Sequence, residues 1–179
     1  MLHSFNIRKA TADDVTALAA LHVLTFNETH GAFNSPTVET RRWQWQKIFE
    51  NEDDSWFCFV IEKEDGDLIG FAKGQSYNHA DLPDFSGELN KIYLLRKYHK
   101  LGLGRKLVCT VANEFMLRGI SSMLLFGDAN NPSNKFYERM GAEKLFARNG
   151  EFHGGYGWIN PQTLAGSCDG GCWMLNVEC

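Results

Sequence analysis

The sequence lacks three features that would each place it in a particular class of protein. No stretch approaches the roughly 20 apolar residues that cross a bilayer, and residues 1–9 carry polar side chains every few positions, unlike the apolar core of a signal peptide. No lysine- and arginine-rich run supplies the basic footprint of a nucleic-acid-binding protein, and 18 basic against 22 acidic residues leave a net charge of -4. We therefore expect a cytoplasmic protein with no membrane or nucleic-acid partner.

Paired cysteine motifs are missing as well. The 5 cysteines are an odd number, and Cys168, Cys172 and Cys179 show neither the CxxC pairs nor the nearby histidines of a zinc site. Cys58 and Cys109 fall inside apolar runs, where a buried free thiol behaves as a small hydrophobic side chain. We therefore predict reduced cysteines of structural or incidental role, and no metal site.

The composition favours one compact domain. With 179 residues, 44% of them hydrophobic, the chain is the size of an ordinary domain and can bury a core without disulfides. We find no internal repeat, low-complexity tract or linker, so we predict a single domain over residues 1–179 with a core from about 5 to 164. Residues 165–179 form a tail, and its last part, Cys168–Cys179, is too apolar for a solvated segment. We expect this part either to add a strand to the sheet or to cover a partner subunit in a homodimer.

Hydrophobic periodicity and turn residues predict alternating strands and helices. Thr11 followed by Asp14 resembles a capping box, which marks the start of the first helix. The predicted helices run from there to about Thr29, from Pro36 to Glu50, through Leu107–Phe115 to an end at Gly119, and from Asn131 to Gly141. The predicted strands are Phe5–Lys9, Ser55–Glu62, Leu68–Gln75, Glu88–Leu95, Met123–Phe126, Ala142–Arg148 and Glu151–Ile159. This order predicts a mixed α/β fold, a mostly antiparallel sheet of six to seven strands with helices on both faces.

The segment from Glu88 to Leu107 carries the most informative pattern, a strand followed by a basic loop and a glycine-containing helix start. Glycines such as Gly102 and Gly104 let the backbone approach a ligand closely, and the unpaired N–H groups of a first helical turn suit a phosphate. Lysines and arginines of this loop add positive charge around the same point: Lys97, Lys100 and Arg105. The segment therefore predicts a pyrophosphate cradle, although spacing alone leaves open that the glycines only relieve crowding.

Two motifs in this order resemble the GNAT family of N-acetyltransferases, in particular bacterial small-molecule acetylators of the phosphinothricin-acetyltransferase type. The run His99-Lys100-Leu101-Gly102-Leu103-Gly104 is similar to the family's Arg/Gln-x-x-Gly-x-Gly/Ala signature, with His99 in place of the usual Arg or Gln. Asn130–Gly141 resembles the family's Asn-rich entry to a helix that carries Phe-Tyr-Glu. The likeness is specific over Glu88–Gly141, looser before it, and fades after Leu164.

The resemblance implies acetyl-CoA as co-substrate and assigns residues to it. The backbones of Ile92, Tyr93 and Leu94 are expected to pair with the pantetheine arm, while their side chains belong to the core. The loop residues His99, Lys100, Leu101, Gly102, Leu103, Gly104 and Arg105 are expected to hold the pyrophosphate. Asn130 is expected to contact the pantetheine arm, unless Asn131 has that task. Asn134 faces the same site or the surface.

Catalysis and acceptor binding are assigned more loosely. The resemblance places Tyr137 near the sulfur as the proton donor to the departing thiolate, and Glu88 as the base that takes the amine's proton directly or through water. Each has a structural alternative, a core tyrosine and a solvated strand-end acid. Phe26, Glu28 and Trp43 are candidate acceptor residues in the first two helices. His22 and His153 are assigned no role, because a lone histidine on an apolar stretch is usually a core residue.

The resemblance therefore predicts an N-acetyltransferase that acts on a primary amine of a small or amino-acid-like molecule, by direct attack in a ternary complex. Two alternatives stay open at this point. The acceptor could be a protein N-terminus or lysine, and the chain could be a CoA-binding regulatory module without catalysis, since phosphate binding needs only the backbone of the loop.

Overall fold

The computed structural model describes residues 4–51, 53–162, 164 and 168. Seven strands and four helices of more than one turn lie within these residues. The strands are β1 (Phe5–Lys9), β2 (Trp56–Lys63), β3 (Leu68–Ser76), β4 (Gly87–Leu94), β5 (Met123–Phe126), β6 (Glu143–Phe146) and β7 (Phe152–Trp158). The helices are α1 (Val15–His30), α2 (Val38–Glu50), α3 (Leu103–Leu117) and α4 (Asn134–Arg139). Apart from Cys168, the tail for which we predict an added strand or a subunit contact lies outside the described residues.

The strands form one sheet in the order β1-β2-β3-β4-β5-β7-β6. The pairs β1/β2, β2/β3, β5/β7 and β6/β7 are antiparallel. Strands β4 and β5 pair in parallel, with Gly87 opposite Met123 and Glu88 opposite Leu124. The prediction of a mixed, mostly antiparallel sheet of six to seven strands is confirmed.

The observed helix starts test the capping residues that we predict from the sequence. The backbone N–H of Thr11 donates to Asp14 Oδ2 at 2.8 Å, as the predicted capping box requires. Helix α2 begins at Val38 and not at Pro36, because the hydroxyl of Thr37 accepts from the backbone N–H of Thr40 at 3.1 Å and so makes Thr37 the cap. The last helix begins three residues later than predicted, since Asn131 Oδ1 accepts from the N–H of Ser133 and keeps that segment in a turn.

The chain divides into two compact units. Unit 1 comprises residues 1–76 and 89–111. Its core is built by α1, α2, β2 and β3, and the side chains of Leu18, Trp45, Val60 and Phe71 are at most 1% exposed. The buried residues of α1 include Val15, Leu18, His22 and Thr25, which recur at helical spacing and so place one face of this helix in the core.

Unit 2 comprises residues 77–88 and 112–179. Its buried side chains include Phe115 of α3, Met123 and Leu124 of β5, and Tyr156 and Trp158 of β7. Strand β5 is a continuous apolar run of four residues, and three of them are buried. Such a run is typical of a strand covered on both faces.

Among three cysteines of the described residues, one follows the prediction of reduced thiols and two do not. Cys58 is a buried free thiol, and burial raises its pKa above the ordinary value. Cys109 is buried as well, but it is disulfide-bonded, and so is Cys168. The prediction of reduced thiols was therefore wrong for these two, because the spacing of cysteines in a sequence does not by itself show which of them are bonded. None of the helices in the described ranges has the length and apolar character to cross a bilayer.

Candidate functional site

The loop between β4 and α3 is shaped by its backbone. After Leu94 the chain makes a single 3-10 turn at Arg96–Tyr98 and reaches α3 at Leu103. Two of its residues adopt positive φ, 63° at Lys100 and 77° at Gly102. Because side chains other than those of glycine and asparagine rarely adopt this region, the loop has a specific backbone requirement at Gly102.

Three polar contacts hold this loop in place. The backbone N–H of Arg96 donates to Glu28 Oε2 of α1 at 2.8 Å, and the Arg96 guanidinium donates to the Glu28 carbonyl. The imidazole Nε2 of His99 lies 2.8 Å from the carbonyl of Leu94, so this nitrogen carries the proton. The loop that we predict as a phosphate cradle is therefore tied to α1 and to the end of β4.

The loop has the properties of an anion site. A Cβ added at Gly102 would meet no atom of the described residues within 4 Å, so a ligand can approach the backbone there. Lys97, Lys100 and Arg105 are exposed. The first turn of the 15-residue helix α3 presents N–H groups without intrahelical acceptors. Together these features suit a phosphate group.

The side chains at the end of β4 are partly buried. Ile92, Tyr93 and Leu94 are half-buried. The ring of Tyr93 packs 5.2 Å from that of His22 and 5.5 Å from that of Phe71, and burial raises the pKa of its phenol against the opposing effect of Arg41. The Tyr93 side chain is therefore part of the unit 1 core.

A cavity of about 360 Å³ lies in unit 1. It is formed by α1, α2 and β4, and its lining consists of His22, Arg41, Trp43, Gln44, Trp45, Lys47, Ile48 and Lys91. Its volume is near the lower end of the range of small-molecule sites, about 300–1,000 Å³.

Three residues that line this cavity each have a buried polar atom with no hydrogen-bond partner within the part of the chain that the structure describes. These atoms are Nδ1 of His22, Nε of Arg41 and Nε1 of Trp45. Burial, reinforced by the positive charges of Arg41 and Lys91, lowers the pKa of His22 to about 3. The imidazole is therefore neutral at physiological pH, and the cavity has a positive electrostatic potential.

Tyr137 lies in unit 2 on the short helix α4. It is 9% exposed. Its ring packs against those of Phe136 at 5.3 Å, Tyr156 at 5.9 Å and Trp158 at 6.4 Å. The hydroxyl of Tyr156 donates to Glu138 Oε1 at 2.8 Å. Tyr137 is thus rigidly placed in an aromatic cluster, which is consistent with a catalytic phenol and with a core tyrosine.

The other predicted residues of unit 2 lie on β4 and on the loop before α4. Glu88 is half-buried at the start of β4, opposite Leu124. Asn130 is exposed, and its N–H donates to Asp128 Oδ1 at 2.7 Å. The amide of Asn134 donates to the carbonyls of Asp128 and Ala129 at 3.0 and 2.9 Å. The Asn134 side chain therefore shapes the loop, and the contact of Asn130 with a cofactor stays a prediction.

The three predicted acceptor residues occupy different places in unit 1. Trp43 lines the cavity and is 61% exposed. Glu28 holds the β4–α3 loop. Phe26 packs beneath the guanidinium of Arg41, whose Cζ is 5.4 Å from the ring centroid. The cavity thus includes one of the three.

The cavity residues that sequence reasoning missed include His22, Arg41 and Lys91. His22 follows the helical spacing of the core face of α1, Arg41 is one of two adjacent arginines, and Lys91 sits in a strand with a cofactor motif. None of these patterns distinguishes a ligand-binding side chain from an ordinary one. The unpartnered nitrogens of His22 and Arg41 could be recognised only once α1, α2 and β4 were packed together.

Comparisons with known proteins agree with this architecture. The family model described as the acetyltransferase (GNAT) family matches residues 18–142. The uncharacterised N-acetyltransferase YuaI of Bacillus subtilis (strain 168) is 29% identical over 171 residues, which cover 88% of this chain and 95% of that protein. The mycothiol acetyltransferase of Acidothermus cellulolyticus (strain ATCC 43068 / DSM 8971 / 11B) is 28% identical over 140 residues, 65% of this chain and 41% of that protein.

A solved structure shows the same fold. The PaiA N-acetyltransferase of Thermoplasma acidophilum, crystallised in complex with coenzyme A, superposes with a TM-score of 0.69 at 18% identity. The match covers 86% of this chain and 98% of that one.

Proposed function

Because this chain belongs to the acetyltransferase (GNAT) family and is an acetyl-CoA-dependent N-acetyltransferase, we propose that it acetylates a primary amine of a small, amino-acid-like molecule. The observation that supports this choice is the cavity of about 360 Å³ in unit 1, which has room for one small molecule. Its buried, unpartnered polar atoms offer specific contacts to such a molecule. The amine attacks the thioester directly, in a ternary complex.

In this proposal the β4–α3 loop holds the diphosphate of acetyl-CoA. The residues fit the group, since Gly102 leaves its backbone accessible and exposed cations surround the start of α3. His99 supports the loop through the carbonyl of Leu94, a role for its side chain in addition to its backbone. The contacts of Glu28 with Arg96 keep the 3-10 turn in place, so little ordering is needed when the co-substrate binds.

The β4 backbone and two side chains carry the chemistry. Acetyl-CoA supplies an activated acetyl group, and a backbone N–H among Ile92, Tyr93 and Leu94 stabilises the negative charge that develops on its carbonyl oxygen. Glu88 accepts the proton of the amine, directly or through water. Tyr137 gives its phenolic proton to the departing thiolate, which is a sufficiently strong base to take it.

The acceptor class is tested with a panel of small primary amines, amino acids and peptides with free N-termini, each incubated with acetyl-CoA and assayed by mass spectrometry. We expect turnover of small molecules. Acetylation confined to peptides would contradict the small-molecule proposal, and the absence of any turnover, with coenzyme A still bound, would identify a regulatory module.

The role of Tyr137 is tested by removing one hydroxyl. Tyr137→Phe should lower kcat about 100-fold, the usual contribution of a positioned proton donor, and leave the affinity for coenzyme A unchanged. The matched control is Tyr156→Phe, which removes a hydroxyl from the same aromatic cluster at a ring distance of 5.9 Å and should retain turnover. Equal kcat for the Tyr137→Phe and unmodified proteins would make Tyr137 a core residue only.

A further inference from the structure

The cavity of unit 1 differs from an ordinary amine site in its charge. Three cationic side chains, Arg41, Lys47 and Lys91, line it together with five neutral ones, and no carboxylate is among them. Within the described residues no carboxylate approaches Arg41 within 4.0 Å, whereas Lys47 is paired with Glu50 at 2.5 Å. A site built for a polycationic acceptor would carry acidic residues, because like charges repel.

We propose, on the premise of the acetyltransferase function above, that this cavity binds the carboxylate of an amino-acid acceptor through Arg41, Lys91, His22 and Trp45. The Arg41 guanidinium is half-buried and uses one terminal nitrogen on Gln44 Oε1 at 3.0 Å, which leaves Nε buried and unpartnered within the described chain. Nε and a terminal nitrogen of a guanidinium form the fork that matches a carboxylate.

His22 and Trp45 supply the second part of the argument. Their side chains are 2% and 1% exposed, and each has one ring nitrogen buried without a hydrogen-bond partner in the described residues. Buried polar groups in native proteins are almost always hydrogen-bonded, so unpaired ones on two residues that line the same cavity are consistent with a ligand that brings acceptor atoms. A carboxylate offers about four lone-pair directions and can accept from both rings and from the cations.

Two further features limit the chemical class of the ligand. After burial, the charges of Arg41 and Lys91 are the further causes of the lowered pKa of His22, and an anion in the cavity would relieve that positive potential. Trp43, Trp45 and Ile48 form apolar walls beside the charges. The acceptor class is therefore an α-amino acid with an apolar side chain, held by its carboxylate.

The test compares matched ligands that differ only in the carboxylate. Leucine, phenylalanine and tryptophan are each assayed beside their amide and their decarboxylated amine, for binding by thermal shift and for acetylation. We expect at least one amino acid to bind and to be acetylated with a KM about tenfold or more below those of its amide and amine, as expected for a charge-assisted hydrogen bond. If every amino acid binds no better than its amide, or none binds, the proposal is overturned.

Variants assign the effect to the cavity. Arg41→Gln and Lys91→Gln should each raise the KM of the best amino acid about tenfold without changing the KM of acetyl-CoA or of the decarboxylated amine. Arg41→Lys should recover part of the loss. Arg42→Gln, on the exposed side of the same helix, removes an equal charge and should leave all three constants unchanged. Equal effects of the Arg41 and Arg42 variants would overturn the assignment.

Different experimental outcomes would contradict the acetyltransferase proposal and the carboxylate-site proposal. Amino acids that raise the melting temperature through their carboxylate but are never acetylated support the carboxylate site and contradict the acetyltransferase proposal. Turnover of neutral amines with no preference for a carboxylate supports the acetyltransferase proposal and overturns the carboxylate site.

Discussion

The β4–α3 loop and the cavity, both in unit 1, differ in whether their polar side chains have hydrogen-bond partners. In the loop, the backbone N–H of Arg96 donates to the Glu28 carboxylate and the imidazole of His99 donates to the carbonyl of Leu94, so these side chains are satisfied by backbone groups. In the cavity, residues His22, Arg41 and Trp45 each have a buried nitrogen without a partner in the described residues. If our proposals hold, the co-substrate meets a preformed backbone, whereas the acceptor meets side chains that only the correct ligand satisfies.

The largest effect is expected from a variant that disrupts the loop and leaves the cavity unchanged. Gly102→Val places a β-branched side chain at a φ of 77°, which costs on the order of 1–3 kcal/mol of strain unless the loop changes shape. We expect the KM of acetyl-CoA to rise roughly tenfold to 100-fold, measured by steady-state kinetics, with the affinity for the acceptor unchanged.

The control for that variant is Gly66→Val. Gly66 has a φ of 87° in the β2–β3 hairpin turn, and a Cβ there also meets nothing within 4 Å in the described residues, so the strain is similar. It should lower stability without changing the KM of acetyl-CoA. If both variants raise this KM equally, the loop has no special role in binding.

The second effect concerns the cavity residue His22 and is measured as the pH dependence of the free energy of unfolding. The folded state lowers the pKa of His22 from 6.5 to about 3, so between these values the unfolded chain binds more protons than the folded one. The contribution of His22 to the free energy of unfolding is therefore fully present above pH 6.5 and is lost as the pH drops towards 3. The slope is at most about 1.4 kcal/mol per pH unit from this group.

Chemical denaturation at pH 7, 5.5 and 4.5 measures this slope. His22→Phe should flatten it and, by removing a buried unpaired nitrogen, should keep or raise the stability at pH 7. His30→Gln, an exposed histidine at the end of the same helix, should leave the slope as it is. A slope that persists in His22→Phe would place the titrating group elsewhere.

The smallest effect tests what Glu28 does. Glu28→Gln keeps an acceptor for the N–H of Arg96 but removes the charge, so the loop is held less tightly. We expect the KM of acetyl-CoA to rise only about threefold while that of the acceptor stays constant. Glu39→Gln, an exposed acid in the first turn of α2, is the charge control. A change confined to the acceptor's KM would instead return Glu28 to the acceptor-binding role that we predict from sequence.

Much of the fold could be predicted because its signals are local. The capping box of Thr11 and Asp14 and the apolar run Met123–Phe126 each depend on neighbouring residues, and the structure has them where they were expected. The start of α2 moved because two candidate caps, Pro36 and Thr37, lie side by side and only the hydroxyl of Thr37 reaches an N–H. The bonded state of Cys109 and Cys168 could not be predicted, since disulfide connectivity cannot be deduced from the spacing of cysteines alone.

The sequence by itself determined the family and the loop that we propose for its co-substrate, because such a loop is a run of consecutive residues whose backbone conformation is set by Gly102 and its neighbours. Only the tertiary structure decided the composition of the cavity that we propose for the acceptor. His22, Arg41 and Lys91 come from three separate elements, and each resembles an ordinary helix or strand residue in its own segment. They acquire a shared electrostatic field and unpaired buried nitrogens only when α1, α2 and β4 pack together and exclude water.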